Sequence, residues 1–214
     1  MRNVILFLLL ILGLSSCSES KTEQPIDNVL KEEIVIDNIL NRRSVRSYKE
    51  KQVTQEHLDK IMRCAINAPS AMNKQSWQVR VVQNQELLKR MNQGFITYSK
   101  KNNPEKDFSS FLEPDFSIYH NAPTVIFIAR TKDNSMSEID CGLFVQNILL
   151  SAESMDIGTC VLGGLPRYLV EDKELVSLLD FPDTHELTIA VAMGYKNEYP
   201  EAKPRDIEKV QYIK

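Results

Sequence analysis

The chain has 214 residues, of which 43% are hydrophobic, and its formal net charge is −3 at pH 7. That length allows one domain with a sizeable core and is too short for two domains of ordinary size. The slight acidic excess argues against a nucleic-acid-binding protein, because such proteins normally show a strong basic surplus. The four cysteines and three histidines follow no metal-ligand spacing, so no metal site is predicted.

The first residues of the chain have the pattern of a secretion signal. Arg2 precedes an almost wholly apolar run from Val4 to Leu14, which is shorter than the roughly 20 residues needed to span a bilayer. Ser15, Ser16 and Cys17 follow, and the whole segment resembles a bacterial lipoprotein signal, in which the cysteine becomes the lipidated first residue of the mature protein. An ordinary secretory signal that happens to contain a cysteine is the alternative.

This leader divides the chain into three parts. Residues 1–16 are predicted to be the signal peptide, and residues 17–27 the lipidated Cys17 and a polar, flexible tether. Residues 28–214 would form the folded domain. The sequence thus predicts a protein of the cell envelope, anchored to a bacterial membrane through acyl chains.

The first half of the folded domain is predicted to be mainly helical. Apolar residues at helical spacing indicate a helix over 28–41. Thr54 is a suitable N-cap for a second helix, which Pro69 closes. Alternating apolar residues then predict a strand over 77–83, and a third helix follows over about 86–101.

The middle of the chain contains the most buried elements. Residues 102–120 lack a clear period and suggest a loop with a short helix, while the apolar run at 125–129 indicates a central strand. Ser137 and Asp140 resemble a variant capping box at the start of a long helix, for which Gly158 is a suitable C-terminal stop. Apolar residues almost surround this helix, which predicts a buried central position.

The last elements complete an α+β pattern. A short strand is predicted over 159–162, a helix over 166–179, a buried strand over 187–193 and an extended tail over 207–214. Because no regular alternation of strand and helix occurs, we predict an α+β sandwich in which one small mixed sheet is covered by helices.

The long helix and two cysteines carry further expectations. Cys64 and Cys141 lie in apolar helical patterns, so both are interpreted as small core side chains. The apolar stretch from Cys141 to Met155 is a candidate dimer interface. Its alternative is a helix in the core of a monomer, and periodicity does not separate the two.

Two basic segments have side chains suited to binding an anion. If residues 42–46 are extended, Arg42, Ser44 and Arg46 lie on one side of the chain, where two guanidinium groups can grip a phosphate or a polar ring edge. Lys203 and Arg205 flank a proline that favours extended backbone, and they would form a second cationic pair. Each segment by itself is also compatible with a solvated surface.

A third segment combines small residues with amides. Residues 68–77 read Ala-Pro-Ser-Ala-Met-Asn-Lys-Gln-Ser-Trp. Small side chains let backbone amides approach a planar ligand, and Asn73 and Gln75 each offer a donor and an acceptor for the edge of a ring. A plain polar connector between helix and strand is the alternative.

Taken in order, these segments resemble the nitroreductase family of FMN-dependent oxidoreductases. The similarity rests on the sequence R-R-S-V-R at 42–46, the loop at 68–77 and the lysine and arginine pair around Pro204. Further family-like stretches occur between them, and the resemblance covers nearly all of residues 28–206. It implies an FMN-binding, nitroreductase-like domain that forms an intertwined homodimer.

The resemblance also assigns roles to individual residues. Arg42, Ser44 and Arg46 match positions that contact FMN at the pyrimidine end of the ring and at the phosphate. Arg43 would lie nearby, although by alternation it points to the other side.

The remaining matches lie in three later segments. Lys203 and Arg205 match the phosphate clamp, and the backbone of Leu162, Gly163 and Gly164 matches a segment beside the flavin N5. The residues that match the loop at the flavin, often supplied in this family by the second subunit, are Pro69, Ser70, Ala71, Asn73 and Gln75. Two departures are visible: Ser76 stands where the family usually has proline, and residues 92–121, in the region that often shapes the substrate pocket, match poorly.

The implied activity is a two-step electron transfer. A donor, NADH or NADPH in the family, would reduce FMN and leave, and an acceptor such as a nitroaromatic or a quinone would take the electrons at the same face. No side-chain nucleophile is evident, so the chemistry would belong to the flavin. Arg46 held at the pyrimidine side would stabilise the reduced ring. Because nicotinamide cofactors are cytoplasmic, an envelope location implies another donor, unless the predicted export is wrong.

Other functions fit parts of the same pattern. A flavin-binding protein for storage or sensing would keep the basic segments without needing an open substrate pocket. A dehalogenase-like flavin enzyme could use the same fold, since fold does not fix substrate. A non-catalytic interaction lipoprotein is disfavoured by the intact Arg42, Ser44, Asn73, Lys203 and Arg205.

Overall fold

A computed structural model of the chain describes residues 28–105, 107, 109–113 and 116–214. The predicted signal peptide, Cys17 and the tether lie outside the described residues. Within them, one four-stranded sheet is covered by helices, which confirms the predicted α+β sandwich. No helix in the described part of the chain is both long enough and apolar enough to cross a bilayer.

The elements follow the predicted order closely. The helices are α1 (Asn28–Asn41), α2 (Gln55–Ala65), α3 (Gln85–Asn102), α4 (Ser137–Glu153), α5 (Gly164–Leu169) and α6 (Lys173–Ser177). The strands are β1 (Trp77–Val82), β2 (Thr124–Thr131), β3 (Ile157–Leu162) and β4 (His185–Tyr195). Three short 3₁₀ turns occur at Ala71–Asn73, Ser109–Leu112 and Ile207–Lys209.

The sheet has the strand order β1-β2-β4-β3, and all three strand pairs are antiparallel, so the prediction of a mixed sheet is wrong for these strands. Because side chains alternate along a strand, β2 serves both faces. Ile126 and Ile128 pack with α2 and α4 on one face, whereas Val125 and Phe127 pack with α3, α5 and α6 on the other. The continuous apolar run of β2 is therefore explained by its central position between two helical layers.

Side-chain caps fix the starts of α2 and α3. The Thr54 hydroxyl accepts a hydrogen bond from the His57 amide at 3.3 Å, as predicted. At α3 the Asn84 side chain accepts one from the Leu87 amide at 3.0 Å. Such caps satisfy backbone donors that have no partner inside the helix.

The predicted capping box of α4 is wrong. Ser137 is already helical, and its hydroxyl donates to the Thr131 and Asn134 carbonyls at 2.9 and 2.6 Å instead of capping the helix. Asp140 is buried and accepts from the Ala71 amide at 3.0 Å. Both side chains thus make long-range or turn contacts, which the local spacing could not distinguish from a cap.

Gly158 does not end the long helix, contrary to the sequence prediction. α4 ends at Glu153, Asp156 takes the left-handed turn with φ 55°, and Gly158 lies buried inside β3. A Cβ at Gly158 would come within 2.7 Å of Val45 Cγ1. This glycine therefore permits the segment that contains Val45 to approach β3 closely.

Two smaller expectations also change. The predicted helix over 166–179 is divided into α5 and α6, because the Asp172 side chain accepts from the Leu175 amide and starts a new helix. Cys64 is exposed rather than part of the core, whereas Cys141 is buried as expected. The buried face of α2 is formed by Leu58, Ile61 and Ala65.

Candidate functional site

The first predicted segment lies along the β3 edge of the sheet. Ser44 forms a parallel bridge with Thr159, and the Val45 amide donates to the Thr159 carbonyl at 3.0 Å. The Val45 side chain is buried, and the Arg43 guanidinium donates to the Arg42 carbonyl at 2.9 Å. The backbone here is extended enough to continue the sheet, as the predicted alternation requires.

The guanidinium groups of Arg42 and Arg46 lie near the same buried thiol of β3. Burial raises the pKa of Cys160, and the positive charges of Arg46 and Arg42 oppose that shift. Glu198 accepts a hydrogen bond from the Arg46 amide and so ties this segment to the chain beyond β4. The two cations therefore form one positive region beside β3, which suits an anionic ligand.

The backbone just after β3 is open on one side. A Cβ at Gly163 would meet no atom within 4 Å, so the space in front of it is open. A Cβ at Gly164 would lie 3.5 Å from Ile118 Cδ1 and 4.0 Å from Phe95 Cε2. Backbone without side chains on the open side, bordered by two apolar groups, can accept a planar ring at close range.

Aromatic side chains extend this apolar border. The rings of Phe111 and Phe116 stack with centroids 4.5 Å apart, and Phe95 lies 5.8 Å from Phe111 and 6.5 Å from Phe116. Tyr168 of α5 meets Phe95 edge-on at 6.0 Å. The poorly matching region of the sequence thus forms an aromatic wall next to Gly164, and sequence reasoning had assigned no site residue to it.

His120 is a second site neighbour that sequence reasoning missed. Its backbone is left-handed, with φ 56°. Burial lowers its pKa, the positive charge of Arg46 lowers it further, and Glu198 acts in the opposite direction. His120 therefore lies close to the cationic region and favours its neutral form there.

Replacing His120 with asparagine should flatten the pH dependence of stability in mild acid. Asparagine tolerates left-handed backbone, so little strain is added. Because the folded-state pKa is lowered, the unfolded chain binds more protons once the pH falls below about 6.5. The histidine therefore costs stability as the pH falls from 7 towards 5. We expect Tm to fall less over this range in His120→Asn than in the wild type, and equal slopes in thermal melts would contradict the assignment.

The loop before β1 adopts an unusual backbone. Met72, Asn73 and Gln75 are left-handed, with φ of 53°, 54° and 49°. The amide of Gln75 donates to the Ser70 hydroxyl at 2.9 Å. The Asn73 and Gln75 side chains are exposed, so both are accessible to a ligand.

This loop lies at the opposite edge of the sheet from Arg42–Arg46. It leads into β1, whereas Arg42–Arg46 runs beside β3. Four strand spacings separate the two edges, which is roughly 19 Å across the sheet. One copy of the chain therefore does not bring the two predicted halves of the site together.

The C-terminal cations are also apart from the rest. Lys203 and Arg205 are exposed, and the Arg205 guanidinium donates to two nearby carbonyls, those of Lys203 at 3.0 Å and Pro204 at 3.2 Å. Within the described residues, no hydrogen bond or ion pair joins either side chain to Arg42 or Arg46. The structure thus unites Arg42, Ser44 and Arg46 with Leu162–Gly164, and leaves the loop and the tail separate.

Known proteins share both the sequence pattern and the fold. Residues 39–195 match the model of the nitroreductase family. A protein from Archaeoglobus fulgidus, provisionally named NADH dehydrogenase/NAD(P)H nitroreductase, is 32% identical over 160 residues, covering 75% of this chain and 84% of that protein. The FMN reductase (NADPH) of Bacillus subtilis is 28% identical over 174 residues, covering 79% of this chain and 69% of that enzyme. A crystal structure of a nitroreductase with bound FMN from Desulfitobacterium hafniense matches with a TM-score of 0.75 at 28% identity, covering 84% of this chain and 98% of its own.

Proposed function

This chain belongs to the nitroreductase family, and from that premise we propose how its residues bind the cofactor, with what partner and where. It is an FMN-dependent oxidoreductase. The observation that carries the site assignment is the open backbone at Gly163 next to the positive region of Arg42 and Arg46. A planar ring joined to a phosphate fits that combination.

The residues present fit both parts of FMN, the phosphate and the planar ring. Arg42, Ser44 and Arg46 would hold the phosphate and the polar edge of the ring, since guanidinium groups bind such edges through paired donors. The backbone at Gly163 and Gly164 lets a ring approach without a clash. When bound, FMN supplies the hydride and electron transfer chemistry.

The side chains around the flavin supply electrostatics and shape. A guanidinium at Arg46 would favour negative charge on the ring, and the backbone that carries it is held by the hydrogen bond from the Arg46 amide to Glu198. Ile118 and Phe95 exclude water from one side of the Gly164 backbone. The aromatic wall beyond them suits flat apolar acceptors, which supports nitroaromatics and quinones as the acceptor class.

We further propose that two copies of the chain build each flavin site. The loop with Asn73 and Gln75 lies too far across the sheet to reach the ligand held by Arg42. A second copy would supply that loop, together with Lys203 and Arg205 from the exposed tail. An intertwined homodimer would complete two equivalent sites.

Exposed apolar side chains support this dimer. α1 presents large apolar residues to solvent, and so do the outer face of α4 and the C-terminal tail. A groove of about 740 Å³ lies between α1 and α4. Such surface is unusual for a monomer and typical of an interface. The residues concerned are Leu30, Ile34, Val35, Ile36, Ile39, Leu40, Ile139, Leu143, Ile207, Val210, Tyr212 and Ile213.

The electron donor depends on where the protein is located. Relatives are named as NAD(P)H enzymes, so NADH or NADPH is the first donor to test. An envelope location would require a different small-molecule donor, because nicotinamide cofactors are cytoplasmic. We propose the envelope location on the strength of the leader that ends at Cys17.

Cys17→Ser should release the protein from the membrane. The acyl chains predicted on Cys17 anchor through buried methylene groups, and serine cannot carry the thioether. We expect wild-type protein in the membrane fraction, labelled by an alkynyl fatty acid, and the variant unlabelled. Labelling of the variant, or a wild type recovered wholly in the soluble fraction, would contradict the anchor.

Arg42→Ala and Arg205→Ala should each weaken FMN binding by about 10–100-fold. Each substitution removes a charge-assisted hydrogen bond that contributes about 1.5–3 kcal/mol. Residues 18–214 would be purified, the visible spectrum recorded, and any chromophore released by denaturation and identified. FMN titrations would then compare Arg42→Ala and Arg205→Ala with Arg63→Ala, an exposed arginine of α2.

We expect the wild type and Arg63→Ala to hold FMN equally. Colourless wild-type protein that also fails to take up added FMN would overturn the proposed function. Wild-type affinity in both site variants would overturn only the residue assignment. Bound FMN without oxidation of NADH or NADPH by a nitroaromatic or quinone would favour a storage or sensing role.

A further inference from the structure

The loop before β1 contains three left-handed residues in a stretch of four. Met72, Asn73 and Gln75 have φ of 53°, 54° and 49°, and residues other than glycine adopt this region uncommonly. No glycine lies in the loop to relieve the backbone. Surrounding structure must therefore hold this shape.

One end of the left-handed stretch is held by Asp140. Its Oδ1 accepts from the Ala71 amide at 3.0 Å, and the residue is only 2% exposed. The second carboxylate oxygen, Oδ2, is buried and has no hydrogen-bond partner among the described residues. Burying a carboxylate for one amide is costly, which indicates that the position of Ala71 matters.

The other end is held by Asn134. Its Nδ2 donates to the Ser76 hydroxyl at 2.8 Å, and both residues are buried. The Asn134 Oδ1 accepts in turn from the Met136 amide at 3.0 Å, which fixes the side chain. Ser76 stands where the family usually has proline, so here a hydrogen bond replaces the stiffness of the proline ring.

Both contacts come from one short stretch of chain, the turn before α4 and the first turn of α4 itself. Ala71 and Ser76 bracket the left-handed residues, while Asn134 lies in the turn and Asp140 in the first turn of the helix. The exposed Asn73 and Gln75 lie between the two attachment points. The loop can therefore not change its shape without breaking a buried hydrogen bond at one end.

We propose that Asn134 and Asp140 are positioning residues that preset the loop for the flavin in the proposed dimer. This inference rests on the proposed function and adds two residues that do not themselves touch the cofactor. By holding the backbone in its binding shape before FMN arrives, they reduce the ordering cost of binding. They would also fix the backbone that carries Asn73 and Gln75, the side chains proposed to meet the ring.

The test measures FMN affinity and the midpoint potential of the bound flavin in Asp140→Ala, Asp140→Asn and Asn134→Ala. We expect about tenfold weaker binding and a shifted potential in both alanine variants, since each frees one end of the loop. Asp140→Asn keeps an oxygen for the Ala71 amide and should bind within about threefold of the wild type.

Asn84→Ala is the matched control, because it also removes a side chain that accepts from a backbone amide, at the start of α3. It should lower stability and leave affinity and potential unchanged. Adding Ser76→Ala to Asn134→Ala should cause no further loss of affinity, because the two side chains act through one bond.

The outcomes separate this inference from the proposed function. Wild-type protein that binds no FMN would overturn the proposed function and the positioning role with it. Wild-type protein that binds FMN, with unchanged affinity and potential in Asp140→Ala and Asn134→Ala, would overturn the positioning role alone. Hydrogen exchange of the Ala71 and Gln75 amides would be measured without FMN as a second test, on the folded fraction of any variant that folds poorly. Unchanged protection of both amides would also refute the role of Asp140 and Asn134 in holding the loop.

Discussion

Gly158→Ala is expected to lower the free energy of unfolding by about 3 kcal/mol, the upper end of the usual range for overpacking a core. The added Cβ would lie 2.7 Å from Val45 Cγ1 and 2.8 Å from Val45 Cβ, well inside contact distance. Val45 cannot retreat without stretching the bond from its amide to Thr159. Chemical denaturation would measure the shift in midpoint, and FMN titration would show whether Arg42 and Ser44 have moved.

A second substitution tests this cause directly. Val45→Ala removes the Cγ1 that the new methyl group meets but keeps the Cβ at 2.8 Å. Gly158→Ala should therefore be less damaging in a Val45→Ala background than in the wild type, with relief only in part. Additive losses would show that the clash with Val45 Cγ1 is not responsible. A midpoint for Gly158→Ala equal to that of the wild type would show that β3 and the Arg42–Arg46 segment are less closely packed than the structure indicates.

Leu143→Asp is expected to weaken dimerisation at least about 100-fold, because an unpaired charge buried in an interface costs several kcal/mol. Leu143 is 41% exposed on the outer face of α4, so the single chain should still fold. If a second copy supplies the loop and the tail, a monomer lacks both, and bound FMN should be lost together with the dimer. Analytical ultracentrifugation and the visible spectrum measure both effects.

The chain offers a matched control for that substitution. Leu178 is 47% exposed and lies at the end of α6, away from α4. Leu178→Asp introduces the same charge and should remain a flavin-bound dimer. A dimeric Leu143→Asp would contradict an interface on the outer face of α4, and a monomer that keeps its FMN would contradict the shared site.

Subunit mixing tests the same arrangement without disturbing the interface. In a homodimer, Arg42→Ala and Asn73→Ala would each damage both flavin sites. Arg42→Ala damages the half of each site beside β3, and Asn73→Ala damages the half formed by the loop before β1. If each site takes one half from each copy, a mixed dimer contains one intact site and one doubly damaged site. An equal mixture of the two variants should then regain about a quarter of the wild-type sites by random pairing. No recovery would indicate that both residues serve the site from the same chain.

Local sequence patterns were sufficient for most of the secondary structure. Thr54 caps α2 because its hydroxyl meets an amide three residues later, and such contacts are visible in the sequence. The alternating pattern of β1 follows from burial mainly on one face of the strand, and the continuous apolar run of β2 follows from burial on both faces. The division of α5 from α6 was missed because the apolar period continues through Asp172 while its side chain caps a new helix.

Long-range contacts account for the rest. Ser137 and Asp140 have cap spacing, yet their partners lie in β2 and in the loop before β1. The position of Gly158 in the sequence is typical of a helix stop, but in the structure its lack of a side chain lets Val45 pack against β3. The segment Arg42–Arg46 was singled out by its alternating basic pattern and given a role by family resemblance, and only the fold shows that it lies along β3.

The separation of the two half-sites across the sheet has a thermodynamic consequence. If each FMN is gripped by two copies, ligand binding and subunit association share one equilibrium, so each promotes the other by the same factor. Dilution alone would then release the prosthetic group, and scarcity of FMN would loosen the assembly. Confinement of the anchored copies to a two-dimensional surface would raise their effective concentration and oppose both losses.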